Sequence, residues 1–107
     1  MYVLINGGSF SASSIISSNL KGSKKATFVG TETGGADNGC VAGIMPVWTL
    51  PHSKLDLRFG LMTCEAPYKA EQDGRGIFPD KAITPTLIDR INGTDPELEW
   101  VLNNCKK

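Results

Sequence analysis

The sequence predicts an α/β fold, and three patterns near the start of the chain lead to that prediction. An apolar run at Tyr2–Ile5 is typical of a strand. Apolar residues then recur at helical spacing, and a second short apolar run follows at Ala26–Gly30. A strand, a helix and a strand in this order imply a parallel pair of strands joined by a right-handed crossover.

The first strand and the helix have recognisable ends. The strand is continuously apolar, as expected of a strand covered on both faces, and Gly7-Gly8 allows a sharp turn after it. Ser11 or Ser13 is expected to cap the helix, and Gly22 is expected to end it. The apolar face of the helix consists of residues four positions apart: Ala12, Ile16 and Leu20.

A glycine-rich loop, residues 31–39, follows the second strand. Loops at strand ends often carry binding or catalytic residues. This segment is therefore either a functional loop or a flexible connector.

The middle of the chain predicts an antiparallel hairpin. Ile44–Leu50 is expected to form one strand, with Pro46 at an edge or a bulge. Pro51–Lys54 forms the turn. The return strand is expected to be half-buried, because apolar residues alternate with charged ones at Leu55, Leu57 and Phe59.

The last helix is predicted from its start. Thr94 and Glu97 have the spacing of a capping box, and Pro96 is favoured in a first turn. Its apolar face is expected to contain Leu98, Val101, Leu102 and Cys105. The length of 107 residues suits a single domain.

Composition and charge exclude several classes of partner. Hydrophobic residues make up 40% and charged residues 21% of the chain, as in ordinary globular proteins. Lys plus Arg equals Asp plus Glu, 11 against 11, so neither nucleic acid nor an acidic membrane surface is expected as a partner. No apolar run approaches the roughly 20 residues that a membrane helix needs, and no signal peptide is visible in this chain.

The three cysteines, Cys40, Cys64 and Cys105, are widely spaced and include no C-x-x-C pair. Neither a metal site nor a cofactor is therefore expected. The three are interpreted as buried or idle thiols, since free cysteine is often part of a core. A bridge between Cys40 and Cys64 on neighbouring strands is the alternative.

The strongest candidate for a catalytic site is the segment from Asn6 to Ser14. A serine at a tight strand-to-helix turn is held by rigid elements, and the helix N-terminus directs N–H groups toward developing negative charge. The alternative is an ordinary capping serine, since serine is favoured at that position. Few groups that could activate a serine occur in this chain.

Six segments, in this order, resemble the C-terminal half of the catalytic domain of the C-terminal processing (tail-specific) serine peptidases and their tricorn-like relatives. They are Val3–Asn6 with Ser11–Ser13, then Ala26–Gly30, Glu32–Gly35, Leu50–Ser53, Gly76–Asp80 and Gly93–Leu98. The resemblance implies a crotonase-like fold of strand–strand–helix units with a β-hairpin and a C-terminal helix. It also implies a location in the bacterial cell envelope.

The resemblance assigns roles to particular residues. Ser11 corresponds to the nucleophile, and the N–H of Ala12 corresponds to an oxyanion-hole donor. The processing enzymes have their activating lysine at the position of Ala36. The tricorn-like branch instead uses a histidine from an earlier part of the domain, upstream of Met1 here, and Asp73 corresponds to its supporting acid. His52, the only histidine in this chain, is interpreted as an exposed turn residue.

Two functions from different classes remain open. The first is a fragment of a serine endopeptidase that hydrolyses peptide bonds through an acyl-enzyme. The second is a non-catalytic peptide-binding or assembly domain of the same fold, and an acyl-transfer enzyme is a weaker third. The expected partners are a peptide or protein substrate and either a missing N-terminal half or a second copy of the chain, which would cover an exposed apolar face.

Overall fold

The computed structural model describes residues 1–68 and 72–105. Its elements, in chain order, are β1 (Tyr2–Ile5), α1 (Ala12–Gly22), β2 (Thr27–Gly30), β3 (Cys40–Ala42), β4 (Val47–Thr49), β5 (Asp56–Arg58), β6 (Met62–Cys64), β7 (Lys81–Ala82), α2 (Leu87–Asn92) and α3 (Pro96–Cys105). Among these residues, no helix has both the length and the hydropathy that crossing a bilayer requires.

The hydrophobic core packs against a three-stranded parallel sheet. Its strand order is β1–β2–β7, and β2 lies in the middle, with its end at Gly30 opposite Ile5. Ile5, Phe28 and Ile77 form the buried cluster. The predicted α/β class and the predicted parallel pairing of the first two strands are confirmed.

The end of β2 requires glycine. Gly30 has a φ of +126°, and a Cβ on this residue would lie 2.1 Å from the carbonyl oxygen of Ile5. Both the backbone conformation and the space therefore exclude a side chain. The close approach of β1 and β2 at this point places the turns that follow both strands next to each other.

The prediction that β1 is covered on both faces is wrong. Leu4 is 45% exposed, whereas Ile5 is buried. In the described part of the chain, β1 is the outer strand of the sheet, and its face with Ile5 meets the core. On the opposite face α3 packs over Tyr2 through Trp100 but leaves Leu4 exposed. An apolar run indicates what a strand can bury, but a second layer must be present for burial to occur.

Helix α1 packs mainly through serines, and of its apolar stripe Leu20 packs against the core. Ser14, Ser17 and Ser18 are buried, and Ile16 is 60% exposed. The predicted packed face is therefore wrong for Ala12 and Ile16, which are exposed, and right for Leu20. Small serine side chains let the helix approach the loop after β2 closely. The Ser18 hydroxyl donates to the carboxylate of Asp37 in that loop at 2.6 Å, and the Ser14 hydroxyl donates to the carbonyl oxygen of Ser9 at 3.1 Å.

The segment between residues 40 and 64 forms an arm of two short antiparallel ladders. β4 and β5 form a hairpin around the turn at 51–53, and β3 pairs with β6 outside it. The predicted hairpin is confirmed. The half-burial predicted for its return strand is wrong, because Leu55, Leu57 and Phe59 are all exposed. The arm thus presents an exposed apolar face, and what covers that face stays a prediction.

The last helix begins one residue later than its predicted cap implies. Asp95 Oδ1 accepts a hydrogen bond from the N–H of Leu98 at 2.9 Å, so Asp95 and not Thr94 caps α3. The capping box occurs instead at α2, between Thr86 and Asp89. α3 packs against β1 and β2, and Trp100 meets Tyr2 edge-on.

Candidate active site

Ser11 lies at the turn between β1 and α1 in a strained backbone conformation. Its φ is 50° and its ψ is −115°. Positive φ is uncommon for a residue with a side chain, and such strain concentrates at functional sites. Ser11 occupies the N-cap position, but its side chain makes no capping hydrogen bond within residues 1–68 and 72–105. The expected capping role of its hydroxyl is therefore wrong.

The Ser13 hydroxyl has a different local partner. It donates to the carbonyl oxygen of Phe10 at 2.6 Å, so it does not cap the N–H groups of α1 either. Ser11 and Ser13, the two candidates for capping α1, therefore have different surroundings in the structure. Ser13 is bound into the turn, and Ser11 faces outward from it.

A groove opens beside Ser11. Its volume is ≈ 260 Å³, and its lining residues come from α1, β3 and β6: Ser11, Ala12, Ile15, Ile16, Cys40, Ala42 and Cys64. The Oγ of Ser11 lies 3.9 Å from the Sγ of Cys40. Most of the lining is apolar, so the groove suits an uncharged side chain next to the serine hydroxyl.

The N–H of Ala12 is available beside the serine. Ala12 is the first residue of α1, where backbone N–H groups have no partner inside the helix. Among the described residues, no acceptor bonds to this N–H. The positive end of the helix dipole adds to the effect of this donor. The arrangement can stabilise an oxygen that acquires negative charge near Ser11.

The glycine-rich loop supports the serine turn from behind. The N–H of Gly35 donates to the carbonyl oxygen of Ser9 at 2.9 Å. A Cβ on Gly34 would lie 2.2 Å from the carbonyl oxygen of Gly7, and a Cβ on Gly35 would lie 2.0 Å from Ser14 Oγ. Gly34 therefore permits close packing against the backbone of Gly7, and Gly35 permits close packing against the side chain of Ser14. The loop is a packed support rather than a flexible connector.

An ion pair fixes the first part of this loop. Both carboxylate oxygens of Glu32 accept from the guanidinium of Arg75, at 2.9 and 2.6 Å, and the N–H of Gly76 donates to the same carboxylate. The Arg75 hydrogen bond lowers the pKa of Glu32, partial burial opposes that effect, and the Gly76 bond adds to it. The pair joins the loop to the segment that leads into Ile77 in the core.

The Glu32 pair predicts a dependence of stability on pH. The pKa of Glu32 in the folded chain lies below its ordinary value of 4.5, so the ionised pair stabilises the fold above that value. This contribution is lost as the pH falls through the lowered pKa. We expect the gap in melting temperature between wild type and Glu32→Gln to be constant near neutrality and to shrink below about pH 4.5.

The control for this measurement is Glu65→Gln, which removes the same charge from an exposed position just after β6. Its melting temperature should follow that of wild type across the range. Parallel curves for wild type and Glu32→Gln down to pH 3 would contradict the assignment.

The structure separates the other candidate residues from Ser11. Neither Asp73 nor His52 is among the described residues that line the groove. Asp73 accepts a hydrogen bond from Asn38 Nδ2, and its supporting role stays a prediction. His52 is exposed in the hairpin turn, as predicted. Ala36, at the expected lysine position, pairs with Gly76 through an isolated bridge.

Sequence reasoning missed the far wall of the groove. Cys40, Ala42 and Cys64 reach Ser11 only because β3 and β6 pair with each other and lie over the start of α1. Both strands are three residues long and carry no periodic pattern of their own. No signal in the sequence identified them as partners of the serine turn.

Comparisons of the sequence with known proteins identify its family. The sequence model of peptidase family S41 matches residues 1–83. The carboxy-terminal-processing protease of Bartonella bacilliformis is 34% identical to this chain over 96 residues. That alignment covers 90% of this chain and 21% of the relative, so the chain spans about a fifth of that protein's length. The match to the family over most of the chain, together with this identity, shows that the chain belongs to peptidase family S41, as its resemblance to the C-terminal processing proteases predicts.

Proposed function

We propose that this chain carries the nucleophile of a serine endopeptidase of the C-terminal processing type, and that Ser11 is that nucleophile. The observation that carries the proposal is the strained backbone of Ser11, whose hydroxyl is not used for capping among the described residues and opens on a groove. Its support from outside the structure is the family membership. We also propose that the parallel sheet, the crossing helix α1 and the arm belong to a crotonase-like fold.

The proposed reaction proceeds through an acyl-enzyme. Ser11 Oγ attacks the carbonyl carbon of the scissile peptide bond as a general base takes its proton. The oxygen of the tetrahedral intermediate becomes negative next to the Ala12 N–H, and a single oxyanion-hole donor is worth about 3 kcal/mol of transition-state stabilisation. The amine leaves with the proton, and water then hydrolyses the ester on Ser11.

The general base is proposed to come from a part of the enzyme outside these 107 residues. The side chain of Ala36 is a methyl group and cannot take a proton from Ser11. The chain corresponds to 21% of the relative it matches, so the relative has ample sequence elsewhere for such a group. A histidine supported by Asp73 is the arrangement that the tricorn-like resemblance implies.

The groove gives the proposal a substrate class. Ile15, Ile16 and Ala42 line it beside the nucleophile. Ala12 and Ile16 are four positions apart on α1, and Cys40 and Ala42 are alternate residues of β3, so each pair lies on one face of its element. A small apolar side chain of the substrate fits between these faces. We propose an apolar residue on the acyl side of the cleaved bond, with the peptide extended along an open strand edge.

Ala36 also favours a second candidate, a non-catalytic peptide-binding or assembly domain. Covalent labelling with a fluorophosphonate separates the two. The chain is labelled alone and after combination with the N-terminal part of the catalytic domain, and the adduct is mapped by peptide mass spectrometry.

We expect an adduct on Ser11 in the combined sample. A heat-denatured sample is the control for non-specific reaction. A folded, combined sample that takes up no label at Ser11 would overturn the catalytic proposal in favour of the binding domain.

A further inference from the structure

Cys40 and Cys64 face each other directly across two paired strands. In the antiparallel register of β3 and β6, Cys40 lies opposite Cys64. Directly opposed residues of such a pair have Cα atoms about 4.5 or 5.5 Å apart and side chains on the same face of the ladder. A disulfide accepts Cα separations of about 4.4–6.8 Å. The backbone therefore holds the two residues within bridging range.

The groove beside Ser11 also supports the conclusion that Cys40 and Cys64 lie on the same face of the ladder. Both cysteines line it, so both side chains project toward the same space. They cannot be on opposite faces of the arm. The Sγ of Cys40 already reaches to 3.9 Å from the Oγ of Ser11 at the near side of that groove.

Both thiols can be reached from solution. Cys40 is half-buried and Cys64 is exposed, and all three cysteines are in the thiol form. None of the three is buried, so the buried form of the prediction is wrong, and the description of them as idle thiols stays a prediction. Cys105 is exposed at the end of α3, outside the arm, and provides an internal comparison.

We propose that Cys40 and Cys64 form a reversible disulfide across the arm, in the wall of the groove. The oxidant is a low-molecular-weight disulfide. The thiolate of one cysteine, whose proton passes to solvent, attacks a sulfur of that disulfide and releases one small thiolate. The thiolate of the other cysteine then displaces the second small thiolate from the mixed disulfide. Two cysteine thiols lose two electrons and two protons, and one small disulfide becomes two small thiols.

The bridge closes the loop from residue 40 to residue 64, which contains the whole β4–β5 hairpin. Such a cross-link restricts the unfolded chain, and this stabilises the fold. It also holds β3 and β6 in register, and a fixed register fixes the far wall of the groove. The formation of the disulfide does not depend on the catalytic role proposed for Ser11.

The experiment uses the full chain, reduced and then equilibrated with mixtures of oxidised and reduced glutathione. Free thiols are blocked with N-ethylmaleimide, and the chain is digested without reductant and analysed by mass spectrometry. We expect one maleimide, on Cys105, and a peptide pair linked through Cys40 and Cys64. We also expect a higher melting temperature for the oxidised chain than for the reduced chain.

The matched control is the double variant C64S/T63C, which keeps three cysteines but moves one by a single position along β6. Adjacent residues of a strand project to opposite faces, so this cysteine points away from Cys40. The variant should take up three maleimides under the same conditions. The Cys105→Ser variant should still form the Cys40–Cys64 bridge.

Several results would overturn the proposal. These are full alkylation of both Cys40 and Cys64 in oxidising buffer, glutathione adducts in place of a bridge, or bridges that involve Cys105. Equal bridging in the wild type and in C64S/T63C would show that the register does not control the reaction. None of these outcomes depends on whether Ser11 is active.

Discussion

Ser11→Ala is expected to abolish peptide hydrolysis by the combined catalytic domain while the chain stays folded. The hydroxyl of Ser11 is exposed and makes no capping bond among the described residues, so its removal costs the fold little. Removal of the nucleophile of a serine protease lowers kcat by a factor on the order of 10⁶. The measurement is the rate of cleavage of an unstructured peptide, with circular dichroism as the test of folding.

The matched control is Ser13→Ala, two residues further along the same turn. Its hydroxyl donates to the carbonyl oxygen of Phe10, so this variant loses one local hydrogen bond, worth about 1 kcal/mol of stability. Its hydrolysis rate should stay within a few-fold of the wild type. Comparable losses in the two variants, or activity retained in Ser11→Ala, would contradict the assignment of Ser11.

The backbone of Ser11 provides a second readout of the same prediction. A residue with a Cβ at a φ of 50° carries strain of about 1–3 kcal/mol, which glycine relieves. Glycine also makes the unfolded chain more flexible, and this offsets part of the gain. We expect Ser11→Gly to be about 1 kcal/mol more stable than Ser11→Ala and equally inactive, as measured by urea unfolding.

Gly34→Ala is expected to slow the reaction of Ser11 strongly through the turn that holds it. The added Cβ would lie 2.2 Å from the Gly7 carbonyl oxygen and 2.5 Å from the ring of Phe10. Backbone cannot move aside as a flexible side chain can, so the turn itself shifts. Overpacking of this kind costs about 1–3 kcal/mol of stability. A displacement of roughly 1 Å at a reacting group costs about 10²-fold in rate.

The test measures the rate of fluorophosphonate labelling of Ser11 in the combined domain, well below the melting temperature of the variant. Gly7→Ala is the control, because a Cβ at Gly7 meets no described atom within 4 Å. Gly7→Ala should label at close to the wild-type rate. If folded Gly34→Ala also labels at that rate, the close packing of the loop does not position Ser11.

Most elements with a strong local pattern were predicted from the sequence. β1, α1, β2 and the β4–β5 hairpin all occur where spacing and turn residues place them, within a few residues. The packed faces of these elements were less predictable. Ile16 lies on a regular apolar stripe and yet is exposed, because the serines of α1 fit the close approach of the loop. The spacing of hydrophobic residues does not predict a contact that forms because the side chains are small.

The candidate site also has a part that was predicted from the sequence and a part that was not. The position of Ser11 at a strand-to-helix turn, the N–H of Ala12 beside it and the family relationship follow from residues within one short segment and from motif order. The pattern of a few neighbouring residues is enough for this, because turns and helix starts form from local backbone preferences.

The other features of the candidate site depend on contacts between segments that are distant in sequence. Cys40 is 29 residues from Ser11 in sequence and 3.9 Å from it in space, as Sγ to Oγ. The groove depends on how β3 and β6 lie beside α1. The opposition of Cys40 and Cys64 depends on the register of β3 and β6, and the support of the turn depends on the contact of Gly34 with Gly7. Such contacts form where shape, hydrogen bonding and strand register agree across the fold, and a sequence read in short windows contains none of those distances.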